Sequence, residues 1–339
     1  VQSLNTSRET LRSYLNSRID KEEFLASSRL LLYGSRHWEE YKNTPDCSEL
    51  YRYKNNLSYA INPRLKTFLN NRAGFFKHKG LIEIAGSYDY KDLTAYGQLD
   101  LTAFNQFNEL QWSPLEKDAV RTDIIEYKSQ SRPRLTTLAL EYQTSIPYSI
   151  QSQVSSGIFS TAYAGFGMEL FRYFHDGLWG LGLESQAVRK RAVDNNFQLK
   201  PNNDTWYSTA YLNLYAQLWP SQGVECGFKA GRFLAGDPGV RIELRRSFKY
   251  FTIGGWTTFT DTSGFDSAKN KRSEDKGVFI RIPFSVFRDR DTPGHFEYSI
   301  RSFTRDQGQT VNTPSSLFPL NPWSTPIHTR EDMKKMRGY

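Results

Sequence analysis

The segment Trp206-Tyr207-Ser208-Thr209-Ala210-Tyr211-Leu212-Asn213-Leu214-Tyr215-Ala216-Gln217-Leu218 divides by parity. Even positions carry Trp206, Leu212, Leu214 and Leu218 with small residues between them, and odd positions carry Tyr207, Tyr211, Asn213, Tyr215 and Gln217. A period of two is the mark of a β-strand, whose successive side chains leave opposite faces. Working outward, Val224, Cys226, Phe228 and Ala230 alternate with Glu225, Gly227, Lys229 and Gly231. Ala235-Gly236-Asp237-Pro238-Gly239 then turns the chain, and Val240, Ile242 and Leu244 alternate with Arg241, Glu243 and Arg245 before a fourth segment, 251–261. These segments are about 9–13 residues long, the length a tilted strand needs to cross a bilayer, whereas strands of soluble proteins commonly run to about 5–6.

Composition agrees with such strands. Of 339 residues only 38% are hydrophobic, yet 15% are aromatic, with 20 Tyr and 23 Phe. Mean hydropathy is -0.62, and no apolar run approaches the ~18 residues of a membrane-spanning helix. Transmembrane barrels need only one apolar residue in two and concentrate aromatics at both interfaces. The net charge of +8 suits an anionic membrane surface or an anionic polymer; dispersed as it is, without a recognition helix or zinc spacing, it argues against nucleic acid. The two cysteines, Cys47 and Cys226, leave a disulfide open.

Read in order, residues 1–60 predict a small helical subdomain. Thr6 with Glu9 and Asp20 with Glu23 have capping-box spacing, and a second helix is expected to carry Phe24, Leu25, Arg29, Leu31 and Leu32. Residues 61–306 predict an antiparallel transmembrane β-barrel of about 12–16 strands, fourteen on the count made here. Expected strands include 66–76, joined through Lys77-His78-Lys79 to 80–90, and 119–128. The Asp176-Gly177 pair marks a hairpin turn, and 262–275 a surface loop. Residues 307–339 contain Pro314, Pro319, Pro322 and Pro326, which exclude a central strand; this tail is expected along the periplasmic rim.

Several stretches carry a resemblance. Gly231-Arg232-Phe233-Leu234-Ala235-Gly236-Asp237 with Gly239, followed by Arg245-Arg246-Ser247-Phe248, resembles the signature turn and strand of the YjbH family of exopolysaccharide-associated outer-membrane proteins. Segments 254–261, 275–284 and 301–308, and the helical stretch 21–27, are similar to further family segments. The resemblance implies a bacterial outer-membrane barrel acting in exopolysaccharide or capsule secretion with periplasmic or lipoprotein partners, and a preceding amino-terminal region of the same precursor. It supplies no catalytic residue.

The residues themselves point away from enzyme chemistry. His37, His78, His175, His295 and His328 are scattered, so no metal or cofactor is expected. The glycine run 177–182 lacks the helix that a phosphate loop requires and reads as a hairpin strand. Alternation instead places Lys229, Arg241, Arg245 and Arg281 with Tyr207, Tyr211, Tyr215 and Trp256 on the face away from lipid. Two readings of these cations stay open. They could guide an anionic polysaccharide, with rings stacking on sugars, or they could pair with lumen acids such as Glu225, Glu243 and Glu169 and fill a closed interior. The Arg189-Lys190-Arg191 cluster could meet lipopolysaccharide phosphates or form a solvated loop edge, and Trp179, Trp206 and Trp219 sit where aromatic girdles fall. The expected function is that of a non-enzymatic conduit or docking platform. The alternatives are a plugged barrel that anchors partners, an outer-membrane lipid or glycan hydrolase, or a general porin.

Overall fold

The computed structural model describes residues 57–71, 74–111, 119–201, 203–248, 251–265, 274–283, 295–301 and 305–317, residue 271, and, nearer the amino terminus, 2–5, 7–15, 29–32 and a few single positions. At that terminus β1 (Gln2–Asn5) pairs antiparallel with β2 (Arg29–Leu32), and α1 (Arg8–Leu15) follows β1. The segment 29–32 expected in a helix is therefore a strand. The cap of α1 is Ser7, whose Oγ accepts the Thr10 amide at 3.0 Å. Position 7 directly precedes the first helical residue, so its hydroxyl reaches the unpaired amides of the first turn. Cys47 lies outside the described residues, and Cys226 is a free thiol.

The rest is one antiparallel meander of thirteen strands, each paired with its sequence neighbours. In order these are β3 (Leu57–Asn71), β4 (Gly74–Tyr90), β5 (Leu93–Asn105), β6 (Arg134–Ile146), β7 (Ile150–Ile158), β8 (Tyr163–Phe174), β9 (Trp179–Lys190), β10 (Tyr207–Trp219), β11 (Val224–Arg232), β12 (Pro238–Ser247), β13 (Thr252–Thr260), β14 (Asp275–Pro283) and β15 (His295–Arg301). Among the described residues the sheet has thirteen strands, within the expected 12–16, against the fourteen segments read from the sequence. The β3–β4 pairing already begins at Asn71 with Gly74 rather than beyond Lys77-His78-Lys79, where the chain instead continues within β4 opposite Phe68, Thr67 and Lys66. Segment 119–128 is not a strand: it holds α2 (Ile124–Lys128), whose Ile124, Ile125 and Tyr127 are buried together rather than alternately.

No backbone ladder joins β3 to β15 among the described residues, so the expected closed barrel is not what the pairing forms. Thirteen strands make twelve antiparallel steps, an even number that leaves these two edges parallel to each other, and parallel pairing is the weaker kind. They nevertheless approach: Thr67 Oγ1 and Tyr298 Oη are 3.1 Å apart.

The two faces of the sheet are chemically inverted relative to a water-soluble sandwich. On β10, Leu212, Leu214 and Leu218 are exposed while Thr209, Asn213, Tyr215 and Gln217 are buried. Glu83, Asp100, Glu141, Gln153, Glu169, Gln186 and Glu225 are likewise buried on the inward side, against exposed Ile84, Leu140, Val154, Met168, Leu183 and Leu244. Connections 91–92, 147–149, 175–178, 220–223 and 248–251 are short and share one end, and the longer 106–133, 191–206 and 261–274 share the other. Exposed Tyr59, Tyr88, Tyr90, Tyr142, Tyr148 and Trp219 ring the short-turn end, and Phe75, Phe76, Phe104, Phe166, Trp206 and Phe259 ring the long-loop end. Trp179 is held near the first ring by stacking on Phe174 at 4.1 Å and by donating to His175 Nδ1 at 2.8 Å. Among the described residues no helix is long and apolar enough to cross a membrane, which says nothing of strands.

Candidate functional site

The interior is organised by a contact between two distant stretches. Turn 233–237 and tail 305–309 meet at the long-loop end: Asp237 Oδ2 accepts the Gly308 amide at 2.7 Å, and the Leu234 amide donates to the Gln309 carbonyl at 3.0 Å. Gly231 and Gly239 flank that turn because its strands leave no room for a side chain. A Cβ on Gly231, where φ is +154, would lie 2.0 Å from the Ala210 carbonyl oxygen, and one on Gly239 would lie 2.3 Å from that of Phe259. Gly236 takes the left-handed conformation, φ +89, at the turn itself. Burial raises the Asp237 carboxyl above its usual range, and the Gly308 amide opposes that shift.

From there the tail enters the sheet. Asp306 Oδ1 accepts the amides of Val120, Arg121 and Thr122 at 2.6–2.9 Å, and its Oδ2 accepts the Thr122 hydroxyl. Three successive amides form a concave anion seat of the kind that backbone turns provide. Farther along, Ser315 donates from its amide and hydroxyl to Glu141, at 3.0 and 2.5 Å, and its carbonyl accepts from Gln153. The Leu317 amide and Ser316 hydroxyl donate to Glu169. After 305–309 are held at the long-loop end, residues 315–317 thus lie against the inward faces of β6, β7 and β8 instead of along a rim, and the rest of the tail expected there, 318–339, lies outside the described residues. The prolines exclude a ladder, but they leave side chains and amides free to satisfy buried carboxylates.

A small apolar core packs at the same end. Val120, Ile124 and Tyr127 from connection 106–133 pack with Phe159, Tyr163, Tyr207, Leu234 and Val311. Tyr163 donates to the Val120 carbonyl at 2.5 Å and Tyr127 to the Arg191 carbonyl at 2.7 Å. Of the 189–191 basic cluster, expected to meet lipopolysaccharide phosphates or to form a solvated loop edge, Lys190 and Arg191 are instead committed inward, and Arg189 stays at the surface. Lys190 is buried against Asp123, Arg189 pairs with Asp204, and Arg191 forks onto the carbonyls of Leu135, Ser160 and Asn196. Burial, reinforced by nearby Arg134, pushes Arg191 down to about 9.

The inward residues picked out by alternation do gather on β10–β14, but in different states. Arg245 is bound to Glu225 at 2.6 Å and lies 3.7 Å from Glu243. Lys229 reaches Glu184 at 2.7 Å and sits 4.5 Å above the Tyr211 ring. Tyr215 donates to Glu225 at 2.5 Å, Tyr207 packs edge-on against Tyr163, and Arg281 lies over Phe279. The pairing reading therefore describes Arg245 and Lys229, whereas Glu169 is taken by the tail. Trp256 Nε1 donates to Asp275 at 3.1 Å, and Arg241 lies 4.9 Å over the Trp256 ring. The glycines of run 177–182 make room for a ring: a Cβ at Gly180 would lie 2.4 Å from Phe171. Missing from the sequence reading were Asp306, Glu141, Ser315 and the 120–122 seat. The one available signal was the carboxylate within Arg305-Asp306-Gln307-Gly308, which alternation does not explain. Among the described residues no three of His, Cys, Asp or Glu converge as a metal site.

An antiparallel sheet with an apolar outer face, a polar inner face and its own tail seated against that inner face defines an all-β meander protein whose faces are inverted relative to a domain with an apolar core. The chain matches the YjbH family, described as "Exopolysaccharide biosynthesis protein YbjH", over residues 1–321, and it belongs to that family. It is 24% identical over 276 residues to a protein of Escherichia coli (strain K12) titled "Uncharacterized lipoprotein YjbH"; the match covers 80% of this chain and 39% of that relative. The chain thus spans about two fifths of the length of the curated relative it matches. The segments that suggested the resemblance, 231–239 and 301–308, include the two that clasp each other in the fold.

Proposed function

We propose that the chain is a non-enzymatic, membrane-spanning component of exopolysaccharide assembly or secretion in the bacterial outer membrane, working as a plugged docking platform. The observation that carries this reading is the tail seated on Glu141, Gln153 and Glu169, beside a long-loop end packed by an apolar core. An open conduit has no use for buried carboxylates satisfied by its own chain. The exposed aliphatic band between two aromatic rings supports contact with lipid, since monomeric soluble proteins rarely expose continuous apolar surface of this extent. Lipopolysaccharide would surround the long-loop rim. Periplasmic or lipoprotein partners, and a preceding region of the same precursor, would meet the short-turn rim. Membership of an exopolysaccharide family supports the pathway.

A second reading is a conduit that opens when the tail withdraws; the cavity beside the tail favours it. Planar bilayers separate the two. The platform stays silent, both as the full chain and when Asp306→Ala releases the tail, because Ile124, Tyr127, Phe159, Tyr163 and Tyr207 still pack at that end. A gated conduit is silent as the full chain and conducts in the variant. Steady conductance by the unmodified chain would overturn the plugged reading.

A further inference from the structure

Beside the tail lies an interior cavity of ≈ 520 Å³, within the ~300–1,000 Å³ range of small-molecule sites. Its charged lining is Arg121, Lys229 and Arg241 against Glu184, Glu243 and Asp275. Each carboxylate is already engaged: Glu184 by Lys229 and Asn213, Glu243 by Arg245, and Asp275 by Trp256 and Gln309. Lys229 is satisfied by Glu184, and the Arg121 guanidinium is engaged electrostatically by Asp275, Asp123 and Asp306. Arg241 differs. It stands directly across from Lys229 on the neighbouring strand and makes no hydrogen bond or close ion pair among the described residues; it lies over the Trp256 face, and the Asp275 and Glu243 carboxylates act on its charge only from beyond ion-pair distance.

A cation drawn out of water costs free energy unless an anion meets it, and the like charge opposite adds to that cost. The planar guanidinium is shaped to take a carboxylate through two parallel N–H donors. Thr310 and Asn312 also line the cavity and have side chains without protein hydrogen-bond partners among the described residues. One uncommitted cation beside uncommitted neutral polar groups is the complement of a small molecule with one carboxylate and several hydroxyls.

We propose that this cavity binds a sugar acid, with Arg241 holding its carboxylate and Thr310 and Asn312 facing its hydroxyls. The choice of a sugar acid over a simple anion rests on the exopolysaccharide reading above. Unlike Arg245 and Lys229, which are internally paired, Arg241 is available to such a ligand.

The test is calorimetric titration of the full chain in detergent with glucuronate, glucose, phosphate and sulfate, supported by Trp256 fluorescence. Glucuronate should bind and quench, and glucose should bind at least about tenfold more weakly because the cation is left unmet. Arg241→Gln should weaken glucuronate by about tenfold or more while its melting temperature is unchanged or higher, since an unpaired buried charge is gone. Arg281→Gln should bind like the parent. Equal affinity for phosphate, sulfate and glucuronate would overturn the sugar-acid assignment, and unchanged binding in Arg241→Gln would overturn the site. A bilayer-silent chain that ignores glucuronate removes this inference and leaves the platform standing. Binding by a freely conducting chain does the reverse.

Discussion

The amide of Gly308 donates to the carboxylate of Asp237 across 2.7 Å, joining a turn and a tail that lie 71 residues apart in the chain. Asp237 is buried, so removing its acceptor strands a buried amide. Asp237→Ala should lower stability by about 1–3 kcal/mol, and Asp237→Asn, which keeps an acceptor oxygen, by less; thermal unfolding in detergent measures both.

The same carboxyl predicts a pH signature. Its folded pKa is raised above the ordinary 3.8, chiefly by burial. A raised carboxyl contributes stability that is fully present below the unfolded pKa and is lost as pH rises through the folded pKa. Relative to Asp237→Asn, the parent should therefore gain stability as pH falls from neutral through the raised value toward 3.8. A difference in melting temperature that does not vary with pH would contradict this.

Asp306 serves three amides at once. Asp306→Ala should cost about 3 kcal/mol, and should expose the 305–317 stretch to protease before the strands are cut. Asp306→Asn retains Oδ1 as an acceptor and should fall between the two. Tail cleavage at the parental rate in the alanine variant would deny Asp306 this role.

Gly231 and Gly97 make opposite predictions. Gly231→Ala drives a Cβ into the Ala210 carbonyl oxygen, whereas nothing lies within 4 Å of a Cβ at Gly97. The first should break the β10–β11 register and abolish the heat-modifiable band on electrophoresis. The second should leave that band intact.

Leu214 and Asn213 test which face meets lipid. Leu214→Arg, mid-strand on the exposed face, should cost about 2–4 kcal/mol in bilayers, and much less in soluble aggregates or denaturant, as read by folding titrations into vesicles. If the exposed face met water instead, the substitution would be nearly neutral.

Much of this is legible in the chain. The parity of 206–218 assigns Leu214 outward and Tyr215 inward without any coordinates, because a pleated strand allows no other outcome. The segments around Gly231 and Arg305-Asp306 could be read as a family signature, but not as partners. Residues 66–79 mislead because charged residues at 77–79 look like turn residues when they are cross-strand neighbours of β3. Segment 119–128 misleads because its apolar positions are short enough to fit either period.

Alternation and turn chemistry decide which residues enter strands, where hairpins close and which face each side chain takes, since all of these depend on neighbours within a few residues. Only the tertiary structure decides that Asp306 finds the amides of 120–122, across 186 residues of chain to Val120, that Ser315 satisfies Glu141, and that Arg245 has a carboxylate at 2.6 Å while Arg241 has no close ion-pair partner among the described residues. Those outcomes depend on the curl of the whole sheet, which sets the distances between inward groups on strands far apart in sequence.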